Sequence, residues 1–223
     1  MAALFVSPVF PGQADDRPMK LPTHDLAGLI AAVSFAAGLN VYATVATLGV
    51  LGRTGVLDLP SQLQLLSDWP VIAGSGLLFA VEFFADKIPV FDLVWNALHT
   101  FIRVPIAAFL AYRATASLDS WEQLTATAVG GLIALAAHSG KTAARAVITP
   151  SPEPVSNMVF SLVEDVMAIS LTWIATRHPY AAAIAVAVLL LVIIVSLRWV
   201  VRALRKLFRG AERALSTPAA SNS

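Results

Sequence analysis

Not one of the 223 residues is cysteine, and that absence removes several chemistries at once. There is no disulfide framework, no thiolate nucleophile and no cysteine-ligated zinc or iron–sulfur centre. Charge is the second scarcity: 13% of the chain is Asp, Glu, Lys or Arg, against about 25% in an ordinary soluble domain. Hydrophobic residues make up 57% and mean hydropathy is +0.75, which places the chain among integral membrane proteins. The zinc-protease motif H-E-x-x-H and the nucleophile elbow G-x-S-x-G are also missing, so no catalytic residue, metal or cofactor is expected. Nor is a cleavable leader expected, because Pro8 and Pro11 break the first apolar run and no basic residue precedes it. Residues 1–24 are read as a flexible arm.

One segment imitates a nucleotide site. Residues 137–157, AHSGKTAARAVITPSPEPVSN, contain Ser-Gly-Lys-Thr, the end of a phosphate-binding loop. Such a loop needs a second glycine five positions before Gly140, so that successive N–H groups curl around a phosphate. Leu135 stands there, and the run before it is a helix-length apolar stretch. Lys141 is therefore assigned to a basic stripe lining a membrane helix. Ser139 and Gly140 are expected to interrupt that helix, as Gly38, Leu39 and Asn40 are expected to interrupt the first one.

What is abundant is apolar length. A hydrocarbon core about 30 Å thick needs roughly 18 or more apolar residues in a helix. Residues 180–197 meet this without a charge, and 26–51, 69–85, 91–112, 124–148 and 157–176 follow. The expected architecture is an all-α polytopic transmembrane bundle of about six spans occupying residues 25–197, with five spans plus a re-entrant hairpin as the alternative. A three-plus-three division permits two inverted repeats, with AVEFF (80–84) echoed by LVEDV (162–166). The tail, 198–223, carries Arg198, Arg202, Arg205, Lys206, Arg209 and Arg213. With both termini cytoplasmic, Arg17, Lys20, Lys87, Lys141, Arg145 and that tail fall inside, against Arg53, Arg113 and Arg177 outside, as the positive-inside rule asks. Trp69 and Trp121 then mark the outer boundary and Trp199 the inner one. Membrane lipid is the expected surrounding, with anionic lipid at the tail. Nucleic acid is not an expected partner, and a homo-oligomer is left open.

Charges inside the spans form the candidate site. An ionisable side chain at mid-membrane costs on the order of 2.5–3.5 kcal/mol on insertion scales and normally faces the bundle interior. Glu82 and Asp86 share one helix face, as do His99 and Arg103 with Asn96 beside them. His138, Lys141 and Arg145 form a third stripe, and Glu164 and Asp165 enter the fifth span beside Ser161. With Asn40 at the break of the first span, these stripes converge on one interior site: Asn40, Glu82, His99, Arg103, His138, Lys141, Arg145, Glu164 and Asp165. A polar vestibule opening to the cytoplasm above a mid-membrane floor is expected. The competing reading is structural, with boundary charges snorkelling to the interface and inner ones paired between helices. The loop ITPSPEPVSN is stiffened by Pro150, Pro152 and Pro154, with Ser156 or Asn157 as the expected cap of the next helix.

The segments AAGLNVYATVATLGVLGR, AVEFFADKIPVFDLVWNALHTFIR, HSGKTAARA, SPEPVSN and LVEDV, spread over residues 36–166, resemble the bacterial membrane-protein family named domain of unknown function 4126. The resemblance implies a compact multi-pass protein of the inner membrane and supplies no activity. From the residues themselves the leading expectation is a small secondary transporter or permease for a polar or ionic solute. An anion is one candidate, held by His99, Arg103, Lys141 and Arg145. An intramembrane enzyme acting on lipid head groups and a non-catalytic membrane scaffold are the alternatives.

Overall fold

The computed structural model describes residues 23–85, 89–148 and 154–216, which are helical throughout except for short connections. The helices are α1 (Thr23–Leu39), α2 (Val41–Arg53), α3 (Trp69–Ala85), α4 (Pro89–Ala114), α5 (Ser120–Ile148), α6 (Pro154–Arg177) and α7 (Pro179–Ser216). A short 3-10 turn, Ser61–Ser67, precedes α3. No strand occurs among the described residues.

α1 is the axis of the bundle. Its sequence, THDLAGLIAAVSFAAGL, is apolar or small on every side, and a helix apolar all round is a buried one. Residues 32–39 are all buried, with α4, α5, α6 and α7 packed around them. Small residues permit that density. A Cβ on Gly28 would sit 2.5 Å from the Pro179 carbonyl oxygen, and one on Gly38 2.4 Å from that of Ala134. Gly130, read from its neighbourhood as a packing position, approaches Ser34 Oγ and Ala111 Cβ, each at 2.8 Å from a Cβ placed there. Small residues at such crossings let membrane helices approach closely where water supplies no driving force.

The segment expected to be the first span does not run straight through. The helix stops at Asn40, whose backbone is extended (φ −147°, ψ 104°), and α2 folds back along α1. Leu29, Ile30, Val33 and Ser34 of α1 line one small pocket together with Leu48 of α2, Leu57, Leu59, Pro60 and Leu63 beyond it, and Leu110, Ala111 and Ala114 of α4. In a continuous helix Leu29 and Leu48 would stand about 28 Å apart at 1.5 Å per residue. α1 and α2 therefore form a helical hairpin with Asn40 at its tip. Their lengths, about 26 and 20 Å, fall short of the hydrocarbon thickness.

Helix ends define the two faces of the bundle. At one face Arg53 reaches the Ser67 carbonyl (3.1 Å) and stacks on Trp69 at 4.5 Å, and Arg113 reaches the Gln62 carbonyl (3.1 Å). Gly28 lies against Pro179 at this same face. α1 thus begins where α7 begins, and α7 carries its far end to the opposite face. The described residues therefore start and end on opposite faces; the two termini, expected on one side, lie outside the described residues. The hairpin and its expected counterpart in the second half, α5, differ in form, since α5 is one continuous helix.

Among the described residues two helices are long and apolar enough to cross a membrane, Met158–Arg177 and Pro179–Ala203, and a third if Ser61–Ser67 and Trp69–Ala85, bent by 63°, count together. Their surfaces fit that solvent. Leu162, Val166, Ile169 and Trp173 on α6, and Ile184, Val188, Leu191 and Val195 on α7, are exposed, whereas Glu164 and Asp165 point inward and are buried. Apolar side chains outside and charges inside invert the pattern of a water-soluble helix. α7 continues without a break through the basic tail to Ser216.

Three smaller expectations are corrected. Ser139 and Gly140 do not interrupt α5, because one interior glycine costs a helix only about 1 kcal/mol, and Gly140 here receives Ile193 of α7. α6 starts at Pro154, so Ser156 and Asn157 lie in its first turn, where proline's missing N–H is harmless, and not at its cap. Asp86 and Lys87 lie outside the described residues, as does the side chain of Asn96.

Candidate functional site

All nine residues singled out in the sequence are buried in one layer of the bundle, none more than 4% exposed. The tip of the hairpin organises one side of it. Asn40 Oδ1 accepts from the Ala43 N–H (2.9 Å) and so caps α2, while its Nδ2 donates to Asp165 Oδ1 of α6 (2.8 Å). Its carbonyl accepts from the Thr44 hydroxyl (2.8 Å). On the α1 side the terminal carbonyl of Leu39, which helix geometry leaves without an intrahelical donor, accepts from Lys141 Nζ of α5 at 3.2 Å. The ammonium also complements the negative end of the α1 dipole.

From Lys141 the charges alternate. Its Nζ lies 3.0 Å from Glu164 Oε2 and 3.9 Å from Glu82 Oε1. Glu164 is also held by Arg145 Nη2 at 2.7 Å, and Glu82 by a close ion pair to Arg103 Nη2. Each glutamate thus has its own arginine across a helix connection, and Lys141 bridges the two pairs. These contacts explain the echo between AVEFF and LVEDV: Glu82 and Glu164 play matching parts. The second oxygens, Glu82 Oε2 and Glu164 Oε1, are buried and accept no hydrogen bond among the described residues.

Histidines flank the network. Arg103 Nη1 lies 3.0 Å from His138 Nδ1, and a guanidinium has only donors. His138 Nδ1 therefore accepts, its proton sits on Nε2, and that N–H donates to the Thr100 hydroxyl at 2.7 Å. His99 Nε2 lies 3.1 Å from the Tyr42 hydroxyl, with the rings edge to face at 5.5 Å. Tyr42, Thr100 and the Leu39 carbonyl are the members that sequence reading missed. The two side chains adjoin Asn40 and His99 in sequence, which is the only signal they carried.

Arg103, Lys141 and Arg145, the cations expected to hold an anion, each face a carboxylate in this structure. The buried position of Lys141 and Arg145 also takes them out of the count of loop charges on which the orientation rested, since that rule concerns residues flanking the spans. The side chains expected to line a vestibule are buried together.

A family model described as domain of unknown function (DUF4126) matches residues 27–199. The chain belongs to this family. The matched DUF4126 region contains the whole network and the hairpin from residue 27 on, and it stops where the basic part of α7 begins. No curated protein and no solved structure matches the chain. Among the described residues no group of three or more His, Asp or Glu is arranged to hold a metal ion.

Proposed function

We propose that this DUF4126 protein is a multi-pass inner-membrane transporter or permease that moves an ionic solute through the Glu82, Arg103, Lys141, Arg145, Glu164 layer. In this reading α3 to α7 cross the membrane and the α1–α2 hairpin enters from the face of Arg53, Arg113 and Arg177. α7 delivers its basic stretch to the cytoplasm, where Arg198, Arg202, Arg205, Lys206 and Arg209 share one side of the helix and meet anionic head groups.

The observation that carries the reading is the layer itself: five charged groups of alternating sign, buried together in a bundle whose outer surface is apolar. Burying ion pairs is a poor way to gain stability, because apolar residues of the same volume are often as good or better. Ionisable groups within membrane helices mark ion and substrate paths. The broken helix adds to this, since helix termini at a membrane midplane offer carbonyls and N–H groups to an ion.

The test is flux in liposomes containing the purified protein, scanned across inorganic ions and small organic acids and amines, with Glu82→Gln and Arg103→Ala as comparisons. Solute movement lost in both variants is expected. If every solute moves equally in protein-free liposomes and in those holding the wild-type protein, transport is refuted. The even balance of cations and carboxylates favours a second reading, a scaffold held by its ion pairs. Its sign would be charge-swapped pairs that restore folding with no flux in any variant.

A further inference from the structure

One line along α7 changes character half-way. Ile184, Val188, Leu191 and Val195 succeed one another at alternating steps of four and three residues, and all are exposed. The same alternation then brings Arg198, Arg202, Arg205 and Arg209, also exposed. At about 100° per residue these positions share an arc of about 100°, so they form one continuous face. Its first half is apolar, and its second is arginine at every step.

That face looks away from the bundle. Ala182 and Val186 are buried on the opposite side of the helix, and Ile193, on their line, packs on Gly140 of α5. Beyond the bundle this inner line continues as Val200 and Phe208, not as cations. Charges that serve only to fix orientation have no need to keep to one side. Arginine at all four steps is a further restriction, because lysine supplies the same charge but only arginine offers a planar fork that grips two phosphate oxygens. None of the four meets a carboxylate among the described residues.

Depth decides what the face can hold. From Ile184 to Val195 it runs about 17 Å, close to the half-thickness of a hydrocarbon core about 30 Å across. Arg198, Arg202 and Arg205 then cover about 10 Å, in the zone of head groups. A ligand that fills both halves has acyl chains one leaflet long and a phosphate with net negative charge. Inorganic phosphate has nothing to lay against the apolar half, and a zwitterionic lipid brings a cation of its own to the arginines. Resting on the placement of α7 in the membrane given above, we infer that this face binds an anionic phospholipid of the cytoplasmic leaflet, its chains along Ile184 to Val195 and its phosphate held by Arg198, Arg202 and Arg205. Two of these three arginines lie beyond residue 199, where the family match ends, and all three are exposed. Replacing them therefore leaves the packing of the bundle intact.

The experiment uses the full chain in nanodiscs of zwitterionic lipid, with a fluorophore on a single cysteine introduced as Val192→Cys, an exposed position beside the line. Phosphatidylglycerol or phosphatidylcholine with brominated chains, which quench on contact, is mixed in at rising mole fraction. Half-quenching by phosphatidylglycerol should come at about one tenth of the mole fraction that phosphatidylcholine needs, since each arginine adds attraction to an anionic head group. Arg198→Gln, Arg202→Gln and Arg205→Gln together should erase the preference, and Arg198→Lys, Arg202→Lys and Arg205→Lys together should lose most of it. A fluorophore at Leu132→Cys, exposed on α5, should report no preference. Equal quenching by the two lipids at Val192→Cys overturns the proposal. An undiminished preference in the triple Arg→Lys protein, or the same preference at Leu132→Cys, leaves only a diffuse attraction and overturns it as well. Inorganic phosphate at constant ionic strength should not relieve the quenching; relief would make the free ion the ligand and would also overturn it. The readout needs no flux. A preference in a protein that moves no solute keeps the lipid site and refutes transport, and transport without a preference does the reverse.

Discussion

Replacing Arg103 with methionine isolates the strongest contact in the layer. Arg103 and Glu82 are both fully buried, and a flexible methionine fills much of the arginine stem's volume. What disappears is the guanidinium, which leaves Glu82 with Lys141 at 3.9 Å as its nearest charge and deprives His138 Nδ1 of its donor. Breaking one half of a buried pair costs about 3–5 kcal/mol, whereas replacing both halves with apolar groups is often neutral or better. For a chain of this size each kcal/mol shifts Tm by about 2–4 °C, so Arg103→Met should unfold about 6–20 °C early. Glu82→Leu combined with Arg103→Met should return to near the wild-type value. The assay is thermal unfolding of wild type, both single variants and the double variant in the same detergent. A single variant within about 2 °C of wild type, or a double variant whose loss equals the sum of the singles, would refute the claim of a tightly coupled buried pair. The double variant also separates stability from function. Stable but inert protein supports a transport role for the pair, and stable, active protein makes it structural.

The hairpin makes a topological prediction. Single cysteines at Asp25 and Asp58, introduced into a chain that has none, should be labelled by a membrane-impermeant reagent from one side, and a cysteine at Arg205 from the other. Labelling of the first two from opposite sides would mean that α1 and α2 cross the membrane. Close packing of α1 predicts that Gly38→Val, whose Cβ meets the Ala134 carbonyl oxygen at 2.4 Å and Ala137 Cβ at 2.8 Å, loses about 1–3 kcal/mol through overpacking. Gly74→Ala, which meets nothing within 4 Å, should be neutral or slightly stabilising. Equal melting temperatures for the two would refute the claimed contact.

Some features were legible because they are local. Apolar runs of helix length became α3 to α6 with ends within a few residues of expectation, and α7 starts where expected but continues to Ser216, since a segment that must satisfy its own backbone in lipid has little choice but helix. Convergence of the polar stripes was legible for a related reason: in a bundle with an apolar outside, charged faces have only the interior to turn to. Asn40 could be read as a break because an amide two residues after glycine competes with helical hydrogen bonding.

The sequence by itself determined an all-helical bundle, a buried charged layer and the nine residues that build it, all of which follow from periodicity and from the cost of exposing charge to hydrocarbon. Only the tertiary structure decided the direction of the chain after Asn40 and the partner of each charge. Whether 26–51 crosses or folds back depends on one residue's φ and ψ and on its bond to Asp165, 125 positions away. Lys141 bridges Glu82 and Glu164 because α3, α5 and α6 meet at one depth. A helix's own pattern says which face is polar, but the pairing of faces is a property of packing between segments distant along the chain, where no local rule reaches.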